Sequence, residues 1–215
     1  MGKSIKGTKT EHNLLASFAG ESQARTRYTL FAQKAIEEGY EQIAAIFLTT
    51  ANQELSHATQ FFNLLEGGMV EINAAYPAGT VGTTKENLAA AAAGEREEWG
   101  DLYANFADVA QEEGFPEIAL LYKNIAKVEQ MHEERYLRLL ERVTNEEVFK
   151  SEEPVVWYCR KCGYLVEAKG APKKCPVCGV PQGWFERFPD NYGFIQAIDA
   201  KFPEISKKRD PENES

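Results

Sequence analysis

The sequence predicts an all-α four-helix bundle followed by a small, cysteine-bearing C-terminal module. Three observations carry this reading. Glu54-Leu55-Ser56-His57 and Glu129-Gln130-Met131-His132 each set a carboxylate and an imidazole three residues apart within a segment of helical period. The segments that hold them repeat one another at a nearly constant offset. The chain's four cysteines, Cys159, Cys162, Cys175 and Cys178, form two C-x-x-C pairs near the C-terminus.

Residues 8–38 have helical periodicity, with the stripe Leu14, Phe18, Glu21, Ala24, Tyr28, Phe31, Ala35. Gly39 ends this helix, and the pattern restarts at Tyr40 or Glu41 with the stripe Ile43, Phe47, Thr50, Glu54, His57, Phe61, Leu65. It runs to Glu66 and stops at Gly67-Gly68. So short a turn makes an antiparallel hairpin. Residues 69–85 contain Pro77, Gly79 and Gly82 and lack a period, as a connection crossing the bundle would. A third helix follows with Thr84 as candidate cap and the stripe Leu88, Ala91, Glu95, Glu98, Leu102, Phe106, Val109. Gly114 and Pro116 mark the next turn, and the fourth helix runs to Arg142. Its stripe is Ile118, Tyr122, Ile125, Glu129, His132, Tyr136, Leu139, Val143.

The two halves are duplicates. Ala19-Gly20-Glu21 matches Ala93-Gly94-Glu95 at an offset of 74 residues. Glu37-Glu38-Gly39-Tyr40 matches Glu112-Glu113-Gly114-Phe115 at 75, and so does Glu54-x-x-His57 with Glu129-x-x-His132. One residue has been inserted between the two matches. Counting from each turn at about 1.5 Å per residue puts Glu21 level with Glu54, and Glu98 level with Glu129. The polar breaks in all four stripes therefore converge on one layer.

A buried carboxylate is costly unless it is paired or bound to metal. No basic residue lies on these stripes to neutralise the acids, although Arg25 and Arg27 flank them. Buried ion pairs are the plainer explanation for any single Glu or His, but not for a repeated, level set. A Glu from each of two helices with Glu-x-x-His from each of the other two is the carboxylate set of ferritin-like di-iron or di-manganese proteins. Glu98, one turn beyond Glu95, adds an acid to it, whereas Glu97 points off that face into solvent. Tyr28 and Tyr103 are placed to hydrogen-bond the carboxylates, with core packing as the alternative. His12 lies away from the layer and reads as a surface residue.

The remaining features set the class. The chain has 215 residues, 43% hydrophobic and 27% charged, which suits one mid-sized domain with an appendage. A net charge of −9 argues against nucleic acid or an anionic membrane as partner. No apolar run is long enough to span a bilayer, and the polar first ten residues are no secretory signal. Residues 144–154 read as a linker. Beyond it, Cys159-Arg160-Lys161-Cys162-Gly163 and Cys175-Pro176-Val177-Cys178-Gly179 form two knuckles, whose four thiolates make a tetrahedral site for zinc or iron in a reducing compartment. Trp157, Tyr158, Tyr164, Trp184 and Phe185 supply most of this module's small core. Residues 190–202 read as a short helix and 205–215 as disordered.

Together these features resemble the rubrerythrin family over nearly the whole chain to Pro189, through the seven bundle residues and the C-x-x-C, twelve-residue gap, C-x-x-C pattern. The resemblance implies a ferritin-like di-iron bundle over residues 1–150, a rubredoxin-like domain over 154–190 and a tail over 191–215 that exceeds the usual module end. It implies a cytoplasmic, non-haem di-iron peroxidase that reduces hydrogen peroxide to water in oxidative-stress defence. Glu54 and Glu129 would bridge the irons, Glu21 would bind the first, and Glu95 with His132 the second. The first iron would exchange His57 for Glu98 as it is oxidised. Cys159, Cys162, Cys175 and Cys178 would hold a mononuclear iron that relays electrons. The catalytic residues would be Glu98, His57, Tyr28 and Tyr103. An external donor such as a rubredoxin or an NAD(P)H-dependent reductase, and a homodimer or higher oligomer, complete the implied assembly. The alternatives are a ferritin-like ferroxidase, or a zinc-ribbon binding module on a metal-binding bundle.

Overall fold

The computed structural model describes residues 3–188. The expected helix over 190–202 and the tail over 191–215 lie outside them. The chain divides into two compact units, Met1–Asn145 and Glu146–Ser215.

The first unit is a bundle of two helical hairpins. Helix α1 (Lys9–Glu37) starts where the Thr8 side chain accepts the Glu11 amide. It ends at Gly39, whose φ of 79° lets the Tyr40 amide turn back to the Ala35 carbonyl at 2.8 Å. Helix α2 (Glu41–Asn63) follows antiparallel and closes three residues before the expected Glu66. An irregular strap then leads to α3 (Thr84–Glu97). Its cap is Thr83, not Thr84: Thr83 accepts from the Glu86 amide and Glu86 returns the bond to the Thr83 amide. That reciprocal pair needs an acid three residues after the cap, which only Thr83 has. Helix α5 (Pro116–Thr144) begins with proline in its first turn and packs against the third strut of the bundle.

That third strut is not one continuous α-helix. A π turn over Glu98–Leu102 separates α3 from α4 (Tyr103–Glu112). It absorbs one extra residue, which is where the duplication requires an insertion. The turn shifts the buried face by one position. Tyr103, Ala107 and Ala110 are buried, whereas Leu102 is exposed and Phe106 and Val109 are half-buried. The expected stripe Leu102, Phe106, Val109 is therefore corrected to Tyr103, Ala107, Ala110.

The hairpins also cap each other in duplicate fashion. Glu38, at the end of α1, accepts the Thr84 amide at 3.0 Å. Its counterpart Glu113, at the end of α4, accepts the Thr10 amide at 2.8 Å. Each first-turn amide so satisfied is one that the helix itself cannot bond.

The apolar core forms two clusters rather than one. Tyr28, Phe31, Phe47, Leu88, Ala91 and Tyr136 belong to the first, and Leu14, Phe61, Tyr103, Ile118, Tyr122 and Ile125 to the second. Along every helix the polar layer falls between the residues of one cluster and those of the other.

The second unit holds a three-stranded antiparallel sheet in the order β2–β1–β3. Strand β1 (Lys150–Cys159) begins inside the expected linker, where Lys150 pairs with Gly170 before the register shifts to Val155. It is flanked by β2 (Leu165–Gly170) and β3 (Phe185–Arg187). Trp157 and Phe185 are buried with Cys159, Cys175 and Ala171, and Tyr164 packs against them. Tyr158 and Trp184, expected in this core, lie at its margin: Tyr158 meets the Phe188 edge and Trp184 lies under Lys161. Among the described residues no helix is long and apolar enough to cross a membrane.

Deleting the exposed Gly100 would close the π turn and rotate α4 by one residue. The expected cost is at least about 3 kcal/mol, from turning Tyr103, Ala107 and Ala110 out of the core. Urea denaturation against the parent chain measures it.

Candidate metal centre

Each hairpin raises its polar residues to the same height. α1 supplies Glu21, α2 Glu54 and His57, α3 Glu95, and α5 Glu129 and His132. Glu21, Glu95, Glu129 and His132 have no exposed surface and Glu54 has 1%. Their ligand atoms form two interlocked groups: Glu21, Glu54, His57 and Glu129, and Glu54, Glu95, Glu129 and His132. Within each group the atoms lie within 4.8 Å of one another. Glu54 and Glu129 belong to both, facing one group with one oxygen and the other with the second. His57 Nδ1 lies 2.9 Å from Glu129 Oε1 and 3.1 Å from Glu54 Oε2. His132 Nδ1 lies 2.7 Å from Glu129 Oε2 and 3.2 Å from Glu54 Oε1.

The donor set tests its fit to cations. Glu21 Oε2, Glu54 Oε1, Glu95 Oε2, both Glu129 oxygens and His132 Nδ1 are buried without a hydrogen-bond partner. Among the described residues such orphans cluster nowhere else in this unit, and these all belong to the two groups of the layer. Buried polar atoms are ordinarily satisfied. Lone pairs converging on two centres, with two carboxylates shared, suit a pair of divalent cations.

The opposite oxygens are held by tyrosines in a reciprocal arrangement. Tyr28, from the first half, donates to Glu95 Oε1 of the second at 2.6 Å. Tyr103, its duplicate 75 residues on, donates to Glu21 Oε1 of the first. Each ring packs in an aromatic trio that the duplication relates: Tyr28 with Phe47 and Tyr136, Tyr103 with Tyr122 and Phe61. Both tyrosines, expected as donors to the carboxylates, occupy that role.

The layer holds protons strongly. Burial, then the fields of neighbouring carboxylates, drives Glu21 well above the ordinary carboxylate value, and Glu95 is pushed up to about 8. Burial opposes charge on His132, but the carboxylates of Glu129, Glu54 and Glu95 crowded around its Nδ1 prevail and raise it to about 11. Burial would raise Glu54, but the imidazoles of His132 and His57 on either side of it prevail and bring it down to about 2. Cations must displace the protons on Glu95 and His132.

Glu98 stands apart from both groups. It is half-buried on the π turn and, with Tyr103, lines a cavity of about 480 Å³ between α1, the strap and the third strut. Burial, then the field of Glu21, raises its carboxyl well above the ordinary value. Glu97 and His12 are exposed, as expected, and reach the rim of the same cavity. Arg25 is exposed, and Arg27 bonds Gln23 at 2.7 Å, so neither enters the layer. Sequence reasoning missed Gln53, whose Oε1 lies 2.9 Å from His132 Nε2, and Arg135, which reaches the same oxygen at 3.4 Å. Gln53 sits off the apolar stripe, so periodicity gives no sign of it.

In the second unit the four cysteine sulfurs also lie within 4.8 Å of one another. The two knuckles have the same backbone bonds: the Gly163 amide to the Cys159 carbonyl at 2.8 Å, and the Gly179 amide to the Cys175 carbonyl at 3.0 Å. Both glycines have positive φ, 78° and 76°, which keeps the turns tight. Burial would raise the Cys175 thiol, but the amides of Cys178 and Val177 aim at its sulfur and bring it down to about 6. Cys159 and Cys175 are buried, and Cys162 and Cys178 are exposed.

A family model described as rubrerythrin matches residues 12–140, and its rubredoxin-like domain matches 157–186. The chain is 59% identical over 192 residues to a rubrerythrin of Porphyromonas gingivalis, covering 89% of this chain and 96% of that protein. The chain belongs to the rubrerythrin family. A rubrerythrin of Nitratidesulfovibrio vulgaris is 48% identical over 86% of this chain and 96% of its own length. Among solved structures, fully reduced, all-ferrous nigerythrin aligns with a TM-score of 0.57 at 32% identity, covering 86% of this chain and 92% of that one. Rubrerythrins are an oxidoreductase family. As in that family, the bundle carries a ferritin-like di-iron site with carboxylate and histidine ligands, and the four-cysteine cluster is a rubredoxin-like iron site.

Two outcomes check this site. Loading the bundle with ferrous ion at pH 7 is expected to release protons, because Glu95 and His132 still hold theirs below about 8 and about 11. The release, followed by pH-stat, shrinks as pH rises past 8. Tyr103→Phe strips Glu21 of its donor and is expected to weaken bundle iron binding ~10-fold. It should leave the thiolate–iron absorption of the second unit unchanged.

Proposed function

We propose that the chain is a peroxidase that reduces hydrogen peroxide to water with electrons relayed through the four-thiolate iron. In this reading Glu21, Glu54, His57, Glu95, Glu129 and His132 would hold the iron pair, with Glu54 and Glu129 common to both groups. Cys159, Cys162, Cys175 and Cys178 hold the single iron. When bound, the iron pair would supply the two electrons for cleaving the O–O bond, H2O2 + 2H⁺ + 2e⁻ → 2H2O, and the iron held by the four thiolates would be the one-electron source that replaces them.

The observation that carries the reading is the position of Glu98. A minimal two-iron carboxylate set does not need it, yet it lies at the edge of the layer and faces a cavity. Burial and the field of Glu21 hold the proton on its carboxyl well above the ordinary carboxylate range, so Glu98 can give that proton to a peroxide oxygen in the cavity. The resulting carboxylate would then be available to hold the iron pair in place of His57. Tyr103 keeps Glu21 turned toward the same group while the exchange occurs. The strap limits water at the cavity through the Tyr76 hydroxyl, which bonds the Ala16 carbonyl at 2.6 Å.

Reducing equivalents enter where Cys162 and Cys178 are exposed, beside Val177 with 66% of its surface accessible. An apolar edge with thiolates suits a small donor protein such as a rubredoxin, or an NAD(P)H-dependent reductase. We further propose a cytoplasmic homo-oligomer serving oxidative-stress defence, a reading supported by membership of the rubrerythrin family.

Stopped-flow mixing of the fully reduced protein with peroxide tests the assignment. Glu98→Ala is expected to slow oxidation of the iron pair about 100-fold or more. An unchanged rate would overturn the role of Glu98. Cys178→Ser should permit the first oxidation and abolish turnover. A protein that consumed oxygen with added ferrous ion but left peroxide intact would be a ferroxidase instead.

A further inference from the structure

The duplication gives each ligand an internal control. His57 and His132 are equivalent at an offset of 75 residues, and both turn Nδ1 toward the carboxylates. Metal on Nδ1 leaves Nε2 carrying the proton, so what that proton meets decides how firmly the ring is held. For His132 it meets Gln53 Oε1 at 2.9 Å. The amide cannot flip away without loss, because Arg135 has only donors and reaches the same oxygen at 3.4 Å. Arg135 is itself held by Thr50 Oγ1 at 2.5 Å. A buttress of Thr50, Gln53 and Arg135 therefore stands behind His132.

The matching positions behind His57 carry nothing of the kind. Adding 75 to Thr50 and Gln53 gives Ile125 and Val128, and subtracting it from Arg135 gives the exposed Gln60. Val128 is half-buried and cannot accept a hydrogen bond. Among the described residues no hydrogen bond to His57 Nε2 is formed. His57 keeps 12% of its side chain exposed, whereas His132 keeps none.

We propose that Gln53, braced by Arg135, is the positioning residue that locks His132 on its metal, and that Val128 at the duplicate position leaves His57 free to leave its own. The second half rests on the His57–Glu98 exchange proposed above, and the first half does not. The two histidines thus differ in the shell behind them, where Ile125, Val128 and Gln60 stand at the duplicates of Thr50, Gln53 and Arg135, with their own contacts to the carboxylates nearly alike.

The test uses the diferrous protein. Each metal-bound imidazole gives one strongly shifted N–H proton signal in the NMR spectrum, and deuterium exchange reports how well it is held. The parent should show one slowly and one rapidly exchanging signal. Gln53→Val should make both rapid and weaken retention of one iron per bundle ~10- to 100-fold against a chelator. Gln53→Glu, which restores an acceptor, should recover both properties. Val128→Gln should make both signals slow and retard oxidation by peroxide, with circular dichroism confirming that each variant is folded. Unchanged exchange and iron retention in folded Gln53→Val would overturn the lock. A slowed His57 signal in Val128→Gln with oxidation as fast as the parent's would overturn the second half. If Glu98→Ala also oxidised normally, the failure would lie with the exchange itself, and the Gln53 result would stand.

Discussion

The constraint on which the bundle depends is the mutual repulsion of four buried carboxylates in one layer. Glu21, Glu54, Glu95 and Glu129 have almost no contact with water. Moving even one such charge out of water costs several kcal/mol after relaxation. The layer is tolerable only because positive charge is supplied within it, by protons on Glu21, Glu95 and the histidines or by divalent cations in their place. The apolar clusters on either side cannot merge across it, so the charge layer, rather than a central hydrophobic plug, ties the four struts together.

Around that layer the duplication acts as a construction rule. Tyrosine of each half steadies a carboxylate of the other, and the end of each hairpin caps the beginning of the opposite one. A reciprocal pattern of this sort leaves neither hairpin complete by itself. Tyr28 without the second half has no acceptor, and Glu21 without it has no donor. Interdependence also explains why tyrosines sit among phenylalanines in the core, since the trios hold each ring at the height its hydroxyl requires.

Much of this was legible in the sequence because the signal was periodic. Glu54, His57, Glu129 and His132 interrupt apolar stripes at helical spacing, and the repeat brought Glu21 and Glu95 to their height. The four cysteines declared their site by spacing alone. What escaped was whatever lay off the period. The π turn moved the buried face from Leu102 to Tyr103, a one-residue slip that a stripe drawn at steps of three and four passes over. Thr83 and Thr84 are chemically alike, and only the acid at Glu86 tells the cap from its neighbour. Gln53 projects beside the stripe rather than along it, so only the fold reveals which ring nitrogen it meets. The start of β1 hid in a charged run because its pairing partner, Gly170, is remote in sequence.

The π turn also carries a chronology. Helix α1 runs unbroken for 29 residues, while its counterpart is split by one extra residue between Glu95 and Tyr103. An insertion present before the duplication would have been copied into both halves. The difference therefore arose after the doubling, by a gain in one half or a loss from the other. One extra residue, placed beside one ligand, helps to give the centre a front and a back.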